Sequence, residues 1–145
     1  MITIVETIRA VSDMIEQIFS EAPTSKDITK GYDRPCTYVQ PTVIETELFG
    51  GLRHDTYSLQ IIRFAEKSYI GYQDLLKYQV ALTDALENPV FVSESFALYP
   101  ENVSFELRRD EMVLLCEFSV QNIQELPEDG ADMETMETLN LRRKD

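Results

Sequence analysis

A chain of 145 residues that is 43% hydrophobic and 10% aromatic holds one domain's worth of core-forming material, which excludes wholesale disorder. Its 26 acidic and 13 basic residues give a formal net charge of −13, so a basic nucleic-acid-binding module and adsorption to an anionic membrane are both disfavoured. No apolar run approaches the roughly 20 residues that span a bilayer, and the N-terminus has no cationic segment leading into an apolar stretch and a cleavage site. Cys36 and Cys116 are too few for a disulfide framework, so synthesis in a reducing cytosol is the expectation.

The first predicted element is an amphipathic helix over Thr3–Glu21. Ile4, Ile8, Val11, Ile15 and Ile18 recur at steps of four and three and fall on one stripe. Thr3 and Glu6 have capping-box spacing, Glu6, Arg9, Asp13 and Glu16 lie on the opposite face, and Ala22-Pro23 ends the helix. After a polar connection, Pro35 marks the start of a strand, because its fixed φ suits extended backbone and it lacks a ladder donor. That strand resumes as Val43–Leu48 after an irregularity at Pro41, and the paired glycines of Phe49-Gly50-Gly51-Leu52 read as a hairpin tip.

A long strand returns from Arg53 to Phe64. Tyr57, Leu59 and Ile61 lie on one face; the other carries His54, Thr56, Ser58 and Gln60, then Ile62 and Phe64. It is thus polar at one end and buried on both faces at the other. A second helix is expected from about Gly71 to Glu87, with Leu75, Tyr78, Leu82 and Leu86 as its stripe and Asn88-Pro89 as its stop. Three extended runs follow: Val90–Leu98, the alternating Val103, Phe105 and Leu107, and Met112, Leu114, Cys116, Phe118 and Val120, the last two joined by a turn at Arg108–Glu111. The order α-β-β-α-β-β-β defines an α+β fold, an antiparallel or mixed sheet with two helices packed on one face.

Composition changes near the end. Glu125–Glu137 holds six acidic residues and no basic one, followed by Arg142, Arg143 and Lys144. The chain therefore divides into a folded domain, residues 1–124, and an acidic extension, residues 125–145. Without the extension, 19 acidic and 10 basic residues remain, a charge near −9. Met133, Met136, Leu139 and Leu141 could form an arm that docks on a neighbouring subunit.

Catalytic chemistry finds little support. There is no phosphate-cradling glycine pattern, no nucleophile elbow and no zincin motif. Cys36 with His54 and Asp55 could form a thiol–imidazole pair, but the local sequence supplies nothing to stabilise a thiolate. Glu45 and Glu47 share a strand face and could bind a cation or act as an acid–base pair, yet a chain this acidic supplies such pairs by chance. No enzyme, metal or cofactor is expected.

The hairpin tip, Glu47-Leu48-Phe49-Gly50-Gly51-Leu52-Arg53-His54, carries more information. Large apolar residues at the end of a long ribbon either fold back on their own sheet or meet another protein. Exposed edges among the C-terminal strands would likewise invite pairing with another subunit.

Several segments, in order, resemble the phage tail terminator family, also called tail-completion or minor tail proteins. Arg34-Pro35-Cys36-Thr37-Tyr38-Val39 resembles its Arg-Pro-Cys-aromatic strand, and Arg53–Phe64 its long alternating strand. Leu82-Thr83-Asp84-Ala85-Leu86-Glu87 is similar to the end of its second helix, and Glu111–Gln121 to its final apolar strand; together these span about Thr3–Gln124. The resemblance implies a structural virion protein with a tail-tube-like fold, assembled in the host cytoplasm into a ring, usually a hexamer. Such a ring caps the tail tube in the neck region, stops its polymerisation and meets the neck or connector; in contractile tails it also meets the last sheath ring.

Two alternatives stand beside this reading: a neighbouring head–tail neck protein, and an acidic DNA mimic that inhibits a basic partner. In the ring, carboxylates would repel phosphate and let DNA pass without sticking, with Glu45, Glu47 and Asp55 as the expected lumen or rim charges.

Overall fold

The computed structural model describes residues 2–24, 31 and 33–126. The elements are α1 (Ile4–Phe19), β1 (Cys36–Phe49), β2 (Leu52–Phe64), α2 (Tyr69–Leu86), β3 (Val90–Ser93), β4 (Phe96–Leu98), β5 (Glu101–Arg108) and β6 (Val113–Glu125). β1, β2, β6 and β5 form one sheet in that order, with every pairing antiparallel, and β3–β4 is a separate hairpin. The class is α+β, with both helices on one face of the sheet.

Alternation of side chains across the strands explains the core. Tyr57, Leu59 and Ile61 of β2 and Leu114, Cys116, Phe118 and Val120 of β6 point to one face. There they meet Val11 and Ile15 of α1 and Leu75, Tyr78, Leu82 and Leu86 of α2, all buried. Ile18 departs from the expected stripe and is 38% exposed, because the helix ends one residue later with Ser20 in the left-handed region. The Thr3 cap forms, its hydroxyl accepting from the Glu6 amide at 3.3 Å. The Glu6 carboxylate answers the Thr3 hydroxyl at 3.4 Å rather than the backbone amide that a full capping box would use.

α2 begins two residues earlier than expected, at Tyr69, because Ser68 caps it by accepting from the Gly71 amide. The run Val90–Leu98 is folded rather than straight: Glu94–Ser95 turns it into the β3–β4 hairpin, which keeps Val90 and Leu98 buried and opposite each other. The irregularity at Pro41 is a register shift between Pro41 and Val43. A buried arginine ties the layers together. Arg63, on β2, contacts Glu21 beyond α1 (3.3 Å), Asp74 of α2 (3.2 Å) and Thr37 of β1 (3.1 Å), and its guanidinium lies over the Tyr78 ring. Tyr78 in turn stacks on Phe19 of α1 and shares a 2.8 Å hydrogen bond with Thr37.

The opposite face of the sheet has no helix over it among the described residues. At one end it carries a small apolar cluster of Ile62, Phe64 and Val113 with Cys36, Tyr38 and Leu115 around it. β2 is therefore polar toward the tip and buried on both faces at its far end, as its residue pattern predicts.

Candidate functional site

The β1–β2 hairpin closes through a two-residue turn in which Gly50 and Gly51 have φ of 56° and 79°. Positive φ at both central positions is the primed turn that matches strand twist, and glycine adopts it without steric cost. The ribbon does not project as two free strands. β6 pairs with β2 as far as Leu52↔Glu125, and the Leu126 amide donates to the Gly51 carbonyl at 2.8 Å. The distal half is thus a three-stranded sheet whose third strand ends at the tip.

β1 is an edge strand, and its distal half is exposed on both faces. Leu48 is 67% exposed and Phe49 49%, with Ile44 and Val43 also in solvent. The tip does not fold back on its sheet. Register and alternation place Val43, Glu45, Glu47 and Phe49 with Leu52, His54, Thr56 and Ser58 on the helix-free face, together with Ser119, Gln121, Ile123 and Glu125. Glu45 and Glu47 are exposed there. His54 is half-buried and bonded to Gln121 at 3.0 Å, and Gln121 reaches Glu101 at 3.3 Å. Farther along, Gln40 donates to Gln60 at 2.8 Å. The middle of this face is a carpet of amides and hydroxyls with the exposed Glu117 of β6 among them, opposite Gln60, and further carboxylates at its edges.

Asp55, expected as a rim charge, lies on the other face and is fully buried. Thr46 Oγ1 donates to its Oδ1 at 2.6 Å, as does Arg53 Nε at 3.1 Å, and Nε also lies 2.9 Å from Oδ2 in an ion pair. The charge is compensated inside the fold, so Asp55 braces the ribbon and does not present a field to solvent. Asn122, directly opposite in β6, is also buried, and neither of its side-chain polar atoms has a hydrogen-bond partner among the described residues. Gln124, two residues on, grips the Ile2 backbone from both sides, accepting from its amide at 2.7 Å and donating to its carbonyl at 3.1 Å. Sequence reading missed this polar brace because strand alternation assigns a residue's face without saying what covers that face.

The thiol–imidazole pairing does not form. Cys36 is opposite Phe64 at one end of β2, while His54 is opposite Ile123 near the other end, about 30 Å away at ~3.3 Å per residue. Burial raises the Cys36 thiol pKa, and burial pushes Cys116 up to about 12, so both resist ionisation. The arm residues Met133, Met136, Leu139 and Leu141 lie outside the described residues.

Among the described residues this geometry defines an assembly domain: an antiparallel sheet with two open edges, an exposed apolar tip, and an unroofed polar face. The comparison with protein families gives the same class a name. The family described as phage tail terminator proteins matches residues 6–131, and the chain belongs to it. It is therefore a structural protein of the bacteriophage tail, which works by contact with other tail proteins. No curated protein matches the chain.

Proposed function

We propose that this protein forms a ring, a hexamer by family resemblance, that caps the tail tube, stops its polymerisation and offers its other side to the neck or connector. The observation that carries the reading is the sheet order β1-β2-β6-β5 with all neighbours antiparallel. With four alternating strands, β1 of one copy can join β5 of the next in antiparallel register with both sheets facing the same way. Such a contact is heterologous, and a rotation that closes on itself makes it a ring. Carried across the registers, the join sets the Cys36 end of β1 level with Arg108 of β5 and the Val43 stretch level with Glu101.

The helix-free face lines the passage in this arrangement, and Glu45 and Glu47 supply its charge. The tip, from Glu47 to His54, lies at one rim and is the contact for a tail protein above or below, tube, neck or, in a contractile tail, sheath. The test uses substitutions at exposed tip positions, which leave the core alone: phage carrying Leu48→Asp and Phe49→Asp, with tails measured by electron microscopy. The expected result is overlength tails or tails without heads. Normal-length, head-bearing tails would remove the tip from the capping contact, and a monomer by electron microscopy of the purified protein would overturn the ring.

A further inference from the structure

Leu126, the last described residue, also lies at the hairpin tip. On the helix-free face Phe49 is opposite Leu52, Ile123 is opposite His54, and Leu126 is held at Gly51. Phe49 and Ile123 are 49% and 61% exposed, so together with Leu52 they form an apolar pad in solvent. Glu45, Glu47 and Glu125 share the pad's face, and no Lys or Arg stands on it between Val43 and Phe49, Leu52 and Ser58, or Ser119 and Glu125. The nearby Arg53 points to the opposite face and is paired with Asp55. An occupant of this pad must bring apolar side chains for the centre and cations for the rim.

The sequence beyond Leu126 holds such a segment. Leu139 and Leu141 are followed by Arg142, Arg143 and Lys144. Between the tip and this segment lie Glu128, Asp129, Asp132, Glu134 and Glu137 with no basic residue. Folding back onto its own pad would lay these carboxylates beside Glu45, Glu47 and Glu125. An acidic linker self-repels and extends, and the 13 residues from Leu126 to Leu139 span up to about 43 Å at ~3.3 Å each. We infer that Leu139–Lys144 of one copy docks on the Phe49–Leu52–Ile123 pad of a neighbouring copy, its leucines on the apolar centre and its cations on the glutamate rim. The inference rests on the ring reading, which supplies the neighbour.

The test is a cross-link between full-length chains. Chains carrying Phe49→Cys and chains carrying Leu141→Cys, distinguished by tags, are co-expressed and treated with a short bismaleimide. A cross-linked pair holding both tags is expected. Changing Arg142, Arg143 and Lys144 to Glu lowers its yield by about tenfold or more, because rim charges are what select the partner. Adding Glu45→Lys and Glu47→Lys to the Phe49→Cys chain restores it. A parallel sample of the double variant Phe49→Cys with Leu141→Cys that cross-links only within a chain overturns the exchange, as does no cross-link at all. A ring still visible by electron microscopy without the cross-link sinks the arm and leaves the ring standing.

Discussion

At Gly71 a single missing carbon decides how α2 begins. A Cβ there would lie 1.8 Å from the Glu66 carbonyl oxygen, a backbone atom that cannot swing away. The approach is close because the Glu66 carbonyl also accepts from the Ser68 amide at 2.8 Å, which folds the chain tightly into the helix. Elsewhere in a helix, glycine to alanine stabilises by about 1 kcal/mol. Gly71→Ala is expected to reverse that sign and cost at least about 2 kcal/mol through overpacking, read from the urea midpoint. Asp55 teaches the opposite lesson about single residues. A carboxylate in a polar strand reads as a surface charge, yet Thr46 across the ladder and Arg53 two residues back let the fold bury it.

At the scale of elements, Arg63 fastens two helices to one sheet. Its side chain is nearly buried, while Glu21 and Asp74 keep 44% and 38% of theirs in water. Removing the arginine therefore leaves its partners solvated, and much of the cost lies in lost packing over Tyr78. Arg63→Ala is expected to lower stability by about 2 kcal/mol, chiefly through lost packing, with Arg63→Met recovering part of it in thermal unfolding. Such elements were largely legible in the sequence. The isoleucine stripe, the paired glycines, the alternation along β2 and the proline irregularity each carry a local physical signal. Ile18 failed because position on a stripe does not say where the neighbouring layer stops. The β3–β4 turn was missed because Glu94–Ser95 is a weak turn signal inside an apolar run. The candidate site was half legible: apolar residues at a glycine turn marked the tip. That β6 runs alongside to the same end is a long-range pairing that no local pattern encodes.

For the whole molecule, acidity takes on meaning only after the charges are assigned to faces. Asp55 is neutralised internally, Glu106 and Glu111 engage Arg108 at the β5–β6 end, and Glu21 and Asp74 hold Arg63. What remains on the central helix-free face is hydroxyl and amide with the exposed Glu117 among them, and further carboxylates at its edges. In a passage lined this way the cations are already paired, Arg108 with Glu106 and Glu111 and the docked arm with Glu45 and Glu47, whereas lysines placed there would hold a sliding polyanion at every subunit, multiplied around the ring. Thr56 and Ser58 occupy that face, and Thr83 lies exposed on the outward side of α2, where a lysine would meet only solvent in the proposed ring. Phage bearing Thr56→Lys with Ser58→Lys are expected to eject DNA more slowly, while phage bearing Thr83→Lys keep the parental rate, as followed by dye uptake after receptor triggering. Because condensed counterions compete for phosphate, raising salt should return the slowed phage toward the parental rate. Equal rates for the two variants would mean that the sheet's open face does not line the passage, and the carboxylates of Glu45 and Glu47 would then have to be explained by a protein partner.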